Sequence, residues 1–493
     1  MVEAERRCTP RVVRRACWLS ALGILISVAL ASVPASAADR YVSTSGVDTG
    51  GGTLASPFRT IAKALSVASP GDAIVLRGGT YTETVYITIA NIAIRPYGSE
   101  SVAITSSTTD VNQSNTVWFG ASGGSITGID ISGGYFYALR FDAGPGLARS
   151  CRIHDSGYIC VKLVPNADNI TLEGCDISYN GRRIPGLGVD SVGGSYLTVR
   201  GCEIHHTNGD AIYAKGGARG CIFEGNRIHD IAGSGIGLGQ DTAPQFMVNP
   251  PWENIDGIVR NNIVWNVQGA GLFCYAAQNP TFVNNTCIDV ATTYQAGLFI
   301  AANGAGQGCT GVVFQNNIVR MSGSRPSVHI AAGGLAGAFT SNRNCWTGNV
   351  GFADDNRGAW GESLATWRTN TGRDANSLQA DPLVDAALHL GSASPCIDAG
   401  MSLASVTIDI DGQARPSGAG HDIGADERST ATPVVPPVAP PPATSSVSSS
   451  GTAGGSSQGC GFGSGMAGLA ILLTALLGCA RRVPALRSTV VGR

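Results

Sequence analysis

The segment "LEGCDISYNG" (172–181) returns along the chain in altered form. It recurs as "VRGCEIHHTNG" (199–209), "FEGNRIHDIAG" (223–233), "VRNNIVWNVQG" (259–269), "FVNNTCIDV" (282–290) and "FQNNIVRMSG" (314–323). Each copy has two or three strand-forming residues, then Gly or Asn, then Cys or Asn. That last position falls at Cys151, Cys175, Cys202, Asn226, Asn262, Asn285 and Asn317, in steps of 24, 27, 24, 36, 23 and 32 residues. No helical periodicity lies between the copies. A period near 24 residues with three short strands per turn predicts a solenoid, whose coils bury their apolar faces only by stacking. Gly or Asn at the turn predicts a backbone position of positive φ. Asn side chains stacked there can bond along the column and satisfy its buried polar groups. Cys151, Cys175 and Cys202 share the column, so they read as small core residues; three in one column cannot all pair as disulfides.

Outside the repeats the composition changes. Residues 1–37 read as a secretory signal peptide: Arg6, Arg7, Arg11, Arg14 and Arg15, an apolar Leu19–Ala31, and a small-residue cleavage site ending at Ala37. Residues 428–458 are rich in Pro, then Ser and Gly, and read as a linker. In 459–493 an apolar Phe462–Ala480 precedes Arg481-Arg482, which favours a cytoplasmic C-terminus. This tail resembles bacterial C-terminal sorting signals, with "GGSSQGCGFG" a loose fit to their small-residue motif. The expectation is an exported, surface-anchored protein that folds over 38–427. A net charge of −2 argues against nucleic acid as a partner. Export permits disulfides among the ten cysteines outside leader and tail. No Cys-x-x-Cys pair has zinc spacing, so no structural zinc site is expected.

The repeats resemble the right-handed parallel β-helix superfamily that includes the pectate lyases, over about residues 40–427. The opening "RYVSTSGVDTGGGTLASPFRTIAKALSVASPGDAIVLRGGTYTE" (40–83) is similar to the start of many secreted bacterial β-helix proteins. Within it Ile61, Ala64, Leu65 and Ala68 lie on one face of a short helix that can cap the open end of the solenoid. The segment "DPLVDAALHLGSASPCIDAG…DIDGQARPSGAGHDIGADE" (381–427) resembles the terminal module of such proteins. The fold class expected is all-β: a right-handed parallel β-helix of three-strand coils with a short N-terminal capping helix.

A second strand per coil aligns as "ALRFD" (138–142), "YICVK" (158–162), "GLGVD" (186–190), "AIYAK" (211–215), "GIGLG" (235–239), "GLFCY" (271–275), "GLFIA" (297–301) and "SVHIA" (327–331). Positions two and four are apolar and face the core, so three and five face outward. Position five then reads Asp142, Lys162, Asp190, Lys215, Gly239, Tyr275. Position three reads Arg140, Cys160, Gly188, Tyr213, Gly237, Phe273, Phe299, His329. Coils stack about 4.8 Å apart, roughly one sugar per coil. A charged row, a glycine floor and an aromatic platform of Phe273, Tyr275 and Phe299 suit a long acidic sugar chain. Tyr213 and Arg140 join it as substrate-binding candidates. The long loop Gln240–Gly257, with Trp252, can wall the groove, and Arg182 and Arg183 can hold substrate carboxylates.

The chain has three lysines and thirty arginines, and two of those lysines stand in this row. Lysine, unlike arginine, can lose its proton. A polysaccharide lyase needs such a base, together with a group that neutralises the uronate carboxylate. Lys215 is the candidate base, with Lys162, Arg182 and Arg183 as further catalytic candidates. Asp142, Asp190 and Asp210 are candidate ligands for Ca²⁺. The partners expected are an acidic polysaccharide and, through the tail, the bacterial membrane, with the chain acting as a monomer.

Three readings compete. The charged row can be one more stabilising ladder, like Glu173–Arg200–Glu224–Arg260, and its aspartates would keep a proton on the lysine. The face can bind glycan without cleaving it. Asp142 and Asp190, two coils or about 9.6 Å apart, can also serve an inverting hydrolase, which needs about 6.5–9.5 Å. Signatures of polygalacturonases, alginate epimerases and the main pectate lyases are absent. His154, His205, His206 and His229 read as turn or surface residues. Asp409, Asp411, Asp422, Asp426 and Glu427 can bind Ca²⁺ or serve as turn residues.

Overall fold

A computed structural model describes residues 37–428. The expected leader, linker and sorting tail lie outside these residues, apart from the boundary positions Ala37 and Arg428. The chain winds through three stacked 12-stranded sheets. Sheet 1 runs from Asp39–Val42 to Phe339–Asn342, sheet 2 from Gly79–Thr82 to Leu378–Gln379, and sheet 3 from Val85–Ile87 to Ala359–Glu362. All pairings are parallel except the last in sheet 3, where Ala359–Glu362 runs antiparallel to Phe352–Asp354. The fold is the expected parallel β-helix.

Like stacks on like in its core. Leu139, Val161, Val189, Ile212, Ile236, Leu272, Leu298 and Val328 form one inward column of sheet 3, in register and fully buried. Phe119 and Phe141 stack with ring centroids 5.0 Å apart. The N-terminal helix spans Ile61–Ser66 and buries Ile61, Ala64 and Leu65 over the first coil. Thr60 caps it by accepting from Lys63 N (3.1 Å), and the Glu83 carboxylate accepts from Ile61 N and Ala62 N. Ala68 lies beyond the helix and packs half-buried against the same core. The far end has a second lid that the sequence reading did not foresee. Helix Leu364–Thr371 buries Leu364 and Trp367, with Trp367 stacked on Phe352 at 4.9 Å.

The turn between sheets 1 and 2 follows the repeat. Ser150, Gly174, Gly201, Gly225, Asn261, Asn284, Asn316 and Arg343 all have φ between 51° and 63°. The next residue in each coil builds the buried ladder. Cys202 N donates to Asn226 Oδ1, and the bonding then passes through Asn262, Asn285 and Asn317 to Asn344, at 2.9–3.2 Å. The ten cysteines of the described residues are buried and free.

The switch from Gly to Asn at the positive-φ position has a tertiary cause. The terminal module folds back over the later coils. Asn261 Nδ2 donates to Ile408 O (2.7 Å), Asn284 Nδ2 to Asp422 O (3.0 Å), and Asn316 Nδ2 to Met401 O (2.8 Å), while Met401 N donates back to Asn316 Oδ1. The coils that carry Gly174, Gly201 and Gly225 border an open cleft instead. Asn316→Gly therefore keeps the turn and loses the dock. Its expected cost is about 1–3 kcal/mol, read as faster proteolytic release of the module with an unchanged β signature by circular dichroism. Gly201→Asn is expected to be neutral, because a Cβ there meets nothing within 4 Å.

Candidate functional site

The outer face of sheet 3 carries one continuous column of register partners. It reads Tyr86, Trp118, Arg140, Lys162, Asp190, Tyr213, Gly237, Phe273, Phe299 and His329. Arg140, not Asp142, stands opposite Lys162. Tyr213, not Lys215, stands opposite Asp190, and Lys215 faces Val192. The expected single row of Asp142, Lys162, Asp190 and Lys215 is corrected: all four are on this face, in two columns. Alternation of period two fixes which face a residue occupies, and it is blind to a slip of two residues.

Lys162 and Asp190 form a nearly buried pair, Nζ to Oδ2 2.6 Å, with Asp190 6% exposed. The phenols of Tyr137, Tyr158 and Tyr213 surround that carboxylate. Burial, then the Asp190 charge, pushes Tyr137 up to about 12 and raises Tyr158 and Tyr213 as well. Arg140 clasps both oxygens of Asp142, at 2.5 and 2.9 Å. Lys215 forms no ion pair among the described residues. Its Nζ donates to the Asp241 carbonyl at 3.3 Å and sits 4.9 Å from the centre of the Tyr213 ring.

The aromatic platform is also corrected. Phe273 is 1% exposed and Tyr213 5%. They form a separate apolar cluster with Ala270, against which Leu187, Tyr275 and Phe299 pack. The glycine floor is filled: the Phe273 ring lies where a Cβ of Gly237 would stand. Residues of the turns leading into sheet 3 cover the rings, and Gln295 among them donates to the Tyr275 hydroxyl at 3.2 Å. Exposed rings occur one end earlier, at Tyr86 (40% exposed) and half-buried Trp118, whose ring centroids are 5.7 Å apart. The alternation in "VYITI" (85–89) and "NTVWF" (115–119) carries the signal for them.

The remaining candidates are held by local partners. Arg182 binds Asp155 and is exposed. Arg183 stacks over Tyr135, 3.8 Å from the ring centre, with its NH2 group buried and without a partner. Asp210 accepts from Ser234 N at 2.7 Å, and burial raises its carboxyl. Asp142, Asp190 and Asp210 do not converge: no group of three close ligand atoms among the described residues contains any of them. Both oxygens of Asp142 are engaged by Arg140, and Asp190 Oδ1 is buried without a partner. This donor set does not fit Ca²⁺.

The long loop lies beside Lys215, which donates to its Asp241 carbonyl, and Trp252 is half-buried in it. Its anchor is Glu253, a fully buried carboxylate with no local sequence signal. Glu253 accepts from Gly216 N (3.0 Å), Thr242 N (2.9 Å) and Thr242 Oγ1 (2.6 Å). At Gly217, φ is 85° and a Cβ would stand 2.4 Å from Asn249 N. Gly217→Ala is therefore expected to lift the loop, costing about 1–3 kcal/mol and speeding proteolytic cleavage within 240–252.

Comparison with known proteins agrees with this architecture. The family model for the right handed beta helix region matches residues 72–249 and 187–345, more than half of the chain. A model for a protein of unknown function (DUF1565) matches residues 44–90, around the capping helix. A 75-residue stretch is 44% identical to pectate lyase PEL9 of Emericella nidulans, covering 14% of this chain and 18% of that protein. The chain thus matches less than a fifth of that relative's length. The crystal structure of pectate lyase Pel9A superposes with a TM-score of 0.56 at 17% identity, over 79% of this chain and 96% of that one. An alginate lyase from Paenibacillus sp. str. FPU-7 gives 0.41 at 18% identity, over 64% and 97%. Stacked parallel sheets, a buried ladder at the turn between sheets 1 and 2 and a family match running along them lead to one conclusion: the chain belongs to the right-handed β-helix family.

Proposed function

We propose that this is an exported, surface-tethered protein that lays an acidic polysaccharide along the outer face of sheet 3 and cleaves it by β-elimination, with Lys215 as the base. One observation carries the reading: of the two lysines on that face, Lys162 is locked to Asp190, while Lys215 has no ion partner among the described residues and meets a backbone carbonyl and the Tyr213 ring. The register sets Lys215 beside Val192 and not beside Asp190. In the step, neutral Nζ takes the proton α to the uronate carboxylate. A carbon–carbon double bond forms as the glycosidic C–O bond breaks, and the departing oxygen is protonated by water. Tyr86 and Trp118 offer stacking surfaces five and four coils from that of Lys215, about 24 and 19 Å by coil spacing, and Arg140 lies next to Trp118 in the column. The part-length likeness to PEL9 and the fold likeness to Pel9A support a carbohydrate-active protein.

A second reading is favoured by the saturated carboxylates: a glycan-binding surface protein without catalysis. Paired-aspartate hydrolysis is disfavoured, because Asp142 and Asp190 both spend their charge on neighbouring cations. One experiment separates the three. The protein is incubated with a panel of uronic polysaccharides, with chelator and with added Ca²⁺, while the ultraviolet absorbance of the unsaturated product is followed. Product formation supports the lyase. Binding without product supports the second reading, and new reducing ends without absorbance support hydrolysis. Loss of product on chelation would restore the calcium expectation.

A further inference from the structure

A cavity opens away from sheet 3, beside the turns that leave sheet 1. A cleft of about 1060 Å³ separates the terminal module from the glycine turns of the earlier coils. Two small hairpins of the module, closed by the Val384–Leu390 and Ile408–Ala414 bridges, present His389 and Asp411 into it. Asp426, from the last described segment, is nine-tenths buried beside them and spends one oxygen, Oδ2, on Leu390 N. One ligand atom from each of the three residues lies within 4.8 Å of the other two.

His389 Nε2 and Asp411 Oδ2 lie 2.9 Å apart as an ion pair. A carboxylate oxygen of Asp426 completes the group, so one imidazole nitrogen and two carboxylates lie within reach of a single ion. Arg227 stands 3.6 Å from Asp411 on the coil side of the cluster.

We infer that His389, Asp411 and Asp426 form a site for a zinc-type divalent cation that ties the two hairpins and the final segment of the terminal module together. An imidazole with two carboxylates suits zinc, whereas calcium takes oxygen ligands alone. The missing Cys-x-x-Cys spacing speaks only to thiolate sites and is silent on this one. The inference is independent of the chemistry proposed for sheet 3.

The test uses the full chain, stripped with chelator and titrated calorimetrically with zinc chloride, with calcium chloride as comparator. The expected result is zinc binding that is lost in His389→Ala and in Asp411→Asn. The melting midpoint should rise by about 3 °C at zinc a hundredfold above Kd, and calcium should leave it in place. Both side chains are about one-third exposed, 32% each, so both variants are expected to fold. X-ray absorption of the zinc-loaded wild type gives a readout that needs no variant: nitrogen and oxygen ligands, without sulfur. Sulfur ligation, no binding, or binding unchanged in His389→Ala overturns the inference. So does zinc binding that disappears only with His206→Ala, which would place the metal at the exposed His206–His229–Asp230 group instead.

Discussion

On the proposed β-elimination, Lys215→Ala is expected to lower product formation from a uronic polysaccharide about a thousandfold and to leave the fold intact. The side chain makes one hydrogen bond, to a carbonyl of the covering loop, and is half-buried, so its loss opens no cavity and strands no charge. Lys215→Arg fails equally, because a guanidinium does not give up its proton. Lys162→Ala shows the opposite profile. It leaves the buried Asp190 carboxylate without its cation, at a cost of about 3–5 kcal/mol, seen as a lower urea midpoint. The two lysines stand two coils and two residues apart on the same face, and these variants assign one to chemistry and the other to stability. Undiminished product from Lys215→Ala, or a Lys162→Ala protein that is fully stable and inactive, reverses the assignment.

Asn285→Leu is expected to be the most damaging single change in the solenoid. Asn285 Oδ1 accepts from both the backbone and the side-chain nitrogen of Asn262. Its Nδ2 donates to Val259 O, Val283 O and Asn317 Oδ1. Leucine returns none of these and leaves several donors and acceptors unpaired in a site that excludes water. The expected loss is about 4 kcal/mol or more, measured by urea denaturation. Asn285→Cys is expected to be milder. The same column carries cysteine at three earlier coils, where Cys202 Sγ accepts from Cys175 N at 3.4 Å. Equal stability of the leucine variant and the wild type rejects this account of the ladder.

The repeat at 172–323 made the architecture legible because each of its features is local. A positive φ demands Gly or Asn at the residue that has it, and strand alternation needs only near neighbours. The N-terminal cap was readable for the same reason: its apolar face lies within eight residues, 61–68. The sheet-3 face was half legible. Its residues were assigned to the correct side, but Asp142 and Lys215 were placed two residues out of column, because turns of unequal length carry no register signal.

The chain alone therefore settled the coil, its ladder and which side chains leave the core. Folding in three dimensions decided which of those side chains meet. It set Lys162 against Asp190 and left Lys215 without an ion partner. It laid Phe273 over Gly237, and it brought His389, Asp411 and Asp426 together from separate turns. The physical reason is range. Backbone sterics and alternation act over a few residues, whereas ion pairs, burial by a covering loop and ligand clusters join positions that only the stacking of coils makes neighbours.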